Sequence, residues 1–261
     1  MIVSKDNPRI KLVRSLASSH GRKKSGLYFI EGARLVEEAI EANEDILFIV
    51  YSSDFSDNAL MKLIIDNGID NFSVLPDVFI NISDTATPQG VLAVLKQQQR
   101  DWREITTLER CLLLILDAVQ DPGNVGTMIR TADAMGFSAI VAGRGTADQY
   151  NPKVLRAAMG SSFHVPVYND VPLSEALTEL VERASVLAAV PRGGIAVNEA
   201  PLAERTAIVI GNEARGIDEE VMHKTTCAVS IDMPGRAESL NASIAAGIIM
   251  YEVSRRWYYT S

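Results

Sequence analysis

The chain has 261 residues, 47% of them hydrophobic and 22% charged, with a formal net charge of −8. That suffices for one large domain or two modest ones with ordinary cores, and two cysteines, Cys111 and Cys227, provide neither a disulfide framework nor a metal-ligand spacing. No apolar run reaches membrane-spanning length and no basic-then-apolar signal opens the chain, so no membrane partner is expected and a reducing cytoplasm is the expected setting.

The charge is unevenly spread. The first thirty residues carry Lys5, Arg9, Lys11, Arg14, Arg22, Lys23 and Lys24 against Asp6 alone. A basic arm on an acidic body points to a local polyanion contact; a solvated helix face would carry the same charges with no partner. Residues 4–8 form a turn or helix start before Ile10, Leu12, Val13 and Leu16, which repeat at helical spacing. Residues 27–30 then read as a strand, 31–42 as a helix, 46–50 as a strand, 58–67 as a helix, and 72–75 and 91–95 as strands. This alternation predicts a small α/β sandwich. The polar stretch from Lys96 to Glu104 interrupts it and marks a linker. The expected division is a domain over 1–95, a linker over 96–110 and a second domain over 111–261.

The second domain opens on a continuous apolar run at 111–116, which suits a central parallel strand buried on both faces. A helix over 123–135, a strand at 139–142, a helix over 152–159 and a short strand at 164–167 follow. A helix over 173–183 leads to strands at 186–190, 207–210 and 228–231, and a helix over 240–257 completes the pattern. The expected class is α/β with a mostly parallel sheet.

Three loops in this half are polar and glycine-bearing. The first is Asp121-Pro-Gly-Asn-Val-Gly, where Asp121 is a natural N-cap with Pro122 at the first helical position. Asn124 and Arg130 fall on different faces of one regular helix, so they meet one ligand only if Asn124 sits in the loop or first turn. Arg130 neighbours Met128, Ile129 and Ala132, and an arginine beside an apolar helix face needs an anion. A carboxylate such as Glu213 is one such anion; a substrate phosphate is the other. The second loop, Gly211-Asn-Glu-Ala-Arg-Gly, follows a strand directly, where open α/β sheets bind ligands. The third joins a strand to the last helix and carries Pro234, Gly235, Arg236, Glu238, Ser239, Asn241 and Ser243. Between two buried elements, such groups need partners. Ser239 is a natural N-cap for that helix, whereas Asn241 inside it has poor propensity and so suggests a role. Small residues Ala245, Ala246 and Gly247 in the last helix suit close packing, in a dimer interface or under the sheet. Gly143-Arg-Gly lacks the third glycine and downstream acid of a dinucleotide fingerprint and is read as a surface turn.

Taken in order, Asn-Val-Gly-x-x-x-Arg, Gly-Asn-Glu-x-x-Gly and Ile-x-Met-x-Gly-x-x-x-Ser-Leu-Asn-x-Ser resemble the SpoU/TrmH family of RNA ribose 2′-O-methyltransferases, most strongly over 111–257. The first half, through Asn7-Pro-Arg-Ile-Lys and Phe29-Ile-Glu-Gly-Ala-Arg, is similar to the L30e-like substrate-binding extension of some members. The resemblance implies a trefoil knot at the carboxyl end, a homodimer whose active site uses both subunits, and S-adenosylmethionine as cofactor. By matching position it implies cofactor contacts from Gly211, Ile231 and Leu240, and catalytic roles for Asn124, Arg130, Glu213, Ser239 and Asn241. Nothing in the periodicity shows a knot.

The chemistry suits these residue types. A ribose 2′-hydroxyl is a weak acid that must lose its proton as it attacks an already activated methyl, so alignment and charge stabilisation are what the enzyme must supply. The family's motif arginine has been assigned as the base. As a cation at ordinary pH, Arg130 is suited to holding the adjacent phosphate and favouring ionisation, with Glu213 holding it in place and Ser239 and Asn241 either relaying a proton or orienting Arg130. The expected substrate is ribosomal RNA, with transfer RNA as the runner-up, and Lys5, Arg9, Lys11 and Arg14 as RNA contacts. A non-catalytic RNA-binding protein on the same fold, and a dehydrogenase-like nucleotide binder, are the competing classes.

Overall fold

The computed structural model describes residues 4–181 and 183–259. The chain divides into two units, one of residues 1–99 with 150–163, the other of 100–149 with 164–261.

The first unit begins with helices α1 (Pro8–Leu16) and α2 (Ser19–Ser25). There follow β1 (Leu27–Glu31), α3 (Ala33–Glu41), β2 (Ile46–Ser52), α4 (Asn58–Asp66), β3 (Asn71–Val74), α5 (Pro76–Ile80) and β4 (Val91–Lys96). The strands lie in the order β1-β4-β2-β3, with β4 antiparallel to β1 and β2, and β2 parallel to β3. Strand periodicity sorts the core into two layers. Tyr28, Ile30, Val91, Ala93 and Leu95 pack with α3 and α4, while Phe29, Leu92 and Val94 pack with Ile10, Val13 and Leu16 of α1 and Phe79 of α5. Residues 31–42 do not form one helix as expected. Gly32 has φ 110, so Glu31 ends the strand and the helix starts at Ala33. Helices α2 and α5 carry no signal in the apolar spacing, α2 being polar throughout and α5 a single short turn after Leu75.

Residues 150–163 add helix α7 (Pro152–Ala158) to this unit, burying Leu155 beside β1 and β4 and bringing Tyr150 within 4.5 Å of the Tyr28 ring. A segment from the middle of the second half thus belongs in space with the first.

The second unit contains β5 (Cys111–Leu116), α6 (Pro122–Ala134), β6 (Ala139–Gly143), β7 (Val167–Val171), α8 (Leu173–Val181) and β8 (Ser185–Ala189). Then come β9 (Ile195–Ala196), β10 (Arg205–Ile210), α9 (Glu219–Met222), β11 (Cys227–Ser230) and α10 (Ala242–Tyr259). The seven strands lie in the order β7-β6-β5-β10-β8-β11-β9, and every paired neighbour is parallel. All residues of the central strands β5 and β10 are buried, as a parallel sheet covered on both faces requires. Trp102 and Ile105, in the stretch read as linker, are buried in this unit's core.

Two expectations fail here for clear reasons. The strand expected at 164–167 lies instead at Val167–Val171, because Pro166 has no N–H to give the ladder and offers only its carbonyl, to Ile140. The last helix starts at Ala242, not 240, and Asn241 stands just outside it.

Candidate functional site

The carboxyl ends of β10, β11 and β8 open onto one cavity of about 710 Å³. Gly211, Glu213, Ile231, Ser239, Leu240 and Asn241 line it, so six predicted residues from two separate loops meet there. Val190 and Pro191, beyond β8, and Ala245 and Ile249 of α10 complete its wall. The β8 contribution was missed. Its signal was a third buried strand running out at a proline, the position where parallel sheets place ligands.

The turn after β10 is tightly closed. Asn212 and Gly216 exchange two backbone hydrogen bonds of 2.9 Å, and Gly216 takes φ +75. A Cβ at position 211 would lie 2.4 Å from the Gly216 carbonyl carbon and the Ile217 nitrogen, so only glycine fits. Asn212, another unpredicted residue, is buried. Its Nδ2 donates to the Ala118 carbonyl at 2.8 Å and its Oδ1 accepts from Ala214 and Arg215 N–H, which fixes the turn against the end of β5.

A polar chain links the loops. Asp121 caps α6 by accepting from Asn124 N–H at 2.8 Å, with Pro122 in the first turn, as expected. Asn124 therefore sits in the first turn and is buried. Its Nδ2 donates to Glu213 Oε1 at 3.0 Å, and its Oδ1 accepts from Asn241 Nδ2 at 3.1 Å. These two bonds use one donor and one acceptor of the amide, and so determine which way it faces. Asn241 Oδ1 in turn accepts from Ser243 N–H and Oγ and from Ile244 N–H. Asn241, not Ser239, is the residue that caps α10. Its poor helix propensity is satisfied by standing at the cap, so the propensity argument for a special role falls away. Its place in the Asn124–Glu213 chain replaces it.

Glu213 accepts from Asn124 and from the N–H groups of Gln120 and Asp121, at 3.3 and 3.4 Å. Burial pushes its pKa up, but these hydrogen bonds outweigh burial and hold the carboxyl below its ordinary 4.5. A lowered folded-state pKa stabilises the fold above the unfolded value, and that contribution disappears as pH falls through the folded one. Thermal melts of wild type and Glu213→Gln are expected to differ at pH 7 and to converge below pH 4.5. A gap that stays constant down to pH 3 would contradict the assigned bonds.

Arg130 behaves differently. It lies on the exposed side of α6, outside the cavity, with no hydrogen bond or ion pair to another described residue. The anion expected beside it is absent because its side chain faces solvent and needs none. Glu213, the carboxylate considered for it, is taken by Asn124 and the Gln120–Asp121 backbone. Likewise Arg236, Glu238 and Ser239 are exposed, so water satisfies them; only Ser243 of that loop set is buried.

In the first unit, the basic residues are not a loose arm. α1 buries Ile10, Val13 and Leu16, each contributing about 1.5–3 kcal/mol, against about 0–1 kcal/mol for an exposed ion pair. The apolar face therefore docks the helix and leaves the cations outside. Lys5 and Arg14 are exposed, Lys11 pairs with Asp6, and Arg9 pairs with Asp70 over the rings of Phe48 and Phe72. Arg22 is buried and spent on the Leu16 and Ala17 carbonyls.

The model of the SpoU rRNA Methylase family matches residues 111–251, and that of the MRM3-like substrate binding domain matches 7–93. The chain is 37% identical over 253 residues to 23S rRNA (guanosine(2553)-2′-O)-methyltransferase RlmP of Bacillus subtilis, covering 97% of this chain and 98% of that one. It is 28% identical to the 23S rRNA (uridine(2479)-2′-O)-methyltransferase of Streptomyces viridochromogenes, over 92% of this chain and 87% of that one. The crystal structure of an AdoMet-bound rRNA methyltransferase from Sinorhizobium meliloti superposes with a TM-score of 0.87 at 29% identity, covering 98% and 97% of the two chains.

Proposed function

Since this chain belongs to the SpoU rRNA Methylase family, we propose that it methylates a ribose 2′-hydroxyl of large-subunit ribosomal RNA from S-adenosylmethionine. The observation that carries this reading is the convergence of Gly211, Ile231 and Leu240 with Glu213, Ser239 and Asn241 on one cavity. Its volume, about 710 Å³, lies within the range of small-molecule sites. Its apolar wall of Ile231, Leu240 and Ile249 suits a nucleoside, and the Gly211–Gly216 turn offers backbone groups where a side chain has no room. When bound there, S-adenosylmethionine supplies a methyl group activated by its sulfonium charge.

The chain's own part is to position and to ionise. The Asn241–Asn124–Glu213 chain fixes the loops around the cavity, so no reorganisation is needed at reaction. In this reading Arg130 holds the substrate phosphate and favours loss of the 2′-hydroxyl proton, and Ser239, which is exposed and lines the cavity, relays it. Arg130 lies outside the cavity of its own chain, which supports a site completed by a second copy. The exposed stripe of Ile244, Ile248 and Tyr251 on α10 is the surface for that homodimer. The same reading takes the carboxyl end as knotted. A cytoplasmic location accompanies a ribosomal RNA substrate.

Lys5, in the turn before α1, and Arg9, Lys11 and Arg14 on the outer side of that helix are the proposed RNA contacts. Neutralising all four is expected to weaken RNA binding and to flatten its salt dependence by about 0.7–0.9 in log–log slope per lost phosphate contact, with S-adenosylmethionine affinity unchanged. An unaltered salt slope would remove α1 from the interface. The reading as a whole is tested by incubating the protein with labelled S-adenosylmethionine and protein-free ribosomal or transfer RNA. Ribosomal RNA is expected to take the label; label on transfer RNA alone would overturn the substrate choice.

A further inference from the structure

The first unit holds a cavity of its own, of about 320 Å³, lined by Arg34, Thr85, Thr87, Gln89, Arg156 and Met159, with the buried residues Glu31 and Leu35 also in its wall. None of these residues belongs to the methyl-transfer site. Both sides of the cavity are held in place. The buried carboxylate of Glu31 accepts from Ser83 Oγ at 2.6 Å, Asp84 N–H at 2.9 Å and Thr85 Oγ1 at 2.8 Å, which ties the following loop to the end of β1. Gln89 Oε1 accepts from Ala33 N–H at 3.1 Å, tying the other end of that loop to the start of α3. The far wall comes from α7, where Arg156 pairs with Asp84 at 2.8 Å.

Met159 is the informative residue. It ends α7 at φ 51, ψ 46, a left-handed position that glycine or asparagine fills at lower cost. The following residue is itself a glycine in the left-handed region, Gly160, so a methionine at 159 is not required by the turn. What it brings is a side chain 39% exposed, large and polarisable, at the edge of a cavity with two guanidinium groups. Arg34 is 73% exposed and makes one 3.3 Å contact, to Glu38, whose other carboxylate oxygen is buried, so its outward guanidinium face can meet a phosphate from solvent while that pair is kept.

We propose that this cavity takes one unpaired nucleotide of the substrate RNA, with the base against Leu35 and Met159 and the phosphate at Arg34 and Arg156. Unpaired RNA is recognised by placing splayed bases on apolar or guanidinium surfaces and bonding their edges, and Thr85, Thr87 and Gln89 provide the edge partners. Thioether contact with an aromatic ring supplies attraction beyond burial. The proposal rests on RNA being the substrate, and gives the first unit a specific reading role beyond charge.

The protein with methyl-¹³C methionine tests it, the Met159 resonance being identified by its loss in Met159→Leu. At least one of the four nucleoside 5′-monophosphates is expected to shift that resonance saturably, while inorganic phosphate leaves it in place. Arg34→Ala is expected to weaken the binding about 10-fold or more, the loss of a charge-assisted hydrogen bond, with S-adenosylmethionine still bound. Protein-free ribosomal RNA is expected to move the same resonance. No shift with any nucleotide or with RNA, or an equal shift with phosphate alone, would overturn the proposal. Methyl transfer with a silent Met159 would sink this site alone; a shifted Met159 without methyl transfer would sink the enzymatic reading and leave the site standing.

Discussion

Arg130→Ala is expected to lower methyl transfer about 10²- to 10³-fold, the cost typical of removing one group that stabilises developing charge. The fold should not suffer. The side chain is exposed on α6 and bonds to no described residue, alanine is the better helix former, and surface changes of this kind fall within about 0.5 kcal/mol. S-adenosylmethionine affinity should also hold, because Arg130 does not line the cavity. Calorimetric titration with the cofactor, a thermal melt and single-turnover kinetics separate these effects. Unchanged transfer would remove Arg130 from the reaction; lost cofactor binding would mean that its role had been placed wrongly.

Asn124→Ala is expected to cost both stability and rate. The amide is buried and is the link between Glu213 and Asn241. Its removal leaves Glu213 Oε1 with only the 3.4 Å bond from Asp121 N–H and frees the exposed Asn241 amide donor, at about 1–3 kcal/mol per group left unsatisfied and less where water reaches it. The loops that shape the cavity lose their tie, and a displacement of about 1 Å is enough to slow the reaction on the order of 10²-fold. The two variants also report on each other. In a symmetric dimer whose site joins Arg130 of one copy to the cavity of the other, half of randomly mixed dimers are mixed. Each of these holds one intact site, giving about a quarter of wild-type activity. A site contained in one copy gives no such recovery.

Much of this was legible in the sequence, and the exceptions have physical causes. The apolar runs at 91–95 and 111–116 gave one strand in each sheet, because a strand buried on both faces reads as a continuous apolar run. Asp121 and Pro122 marked the start of α6 through local chemistry alone. The strand after Pro166 was misplaced because Asn169 and Asp170 look like a turn, and Asp170 does take φ 53 within the strand. The Asn241 cap was misread because the apolar pattern of α10 extends back to Leu240 while the helix does not. The bonding of Glu213 to Asn124 and of Asn124 to Asn241 lay beyond sequence reasoning. The partners are 89 and 117 positions apart, and no local signal encodes that distance. Nor did any pattern hint that residues 150–163 would join the first unit.

The most direct measurement is the chemical position of the transferred methyl group. Ribosomal RNA incubated with the protein and methyl-labelled S-adenosylmethionine, digested to nucleosides and resolved by mass spectrometry, should carry the label in a single 2′-O-methylnucleoside. Label on a base, or none in RNA while the cofactor binds, would contradict the assignment of the β10–α10 cavity to ribose methylation.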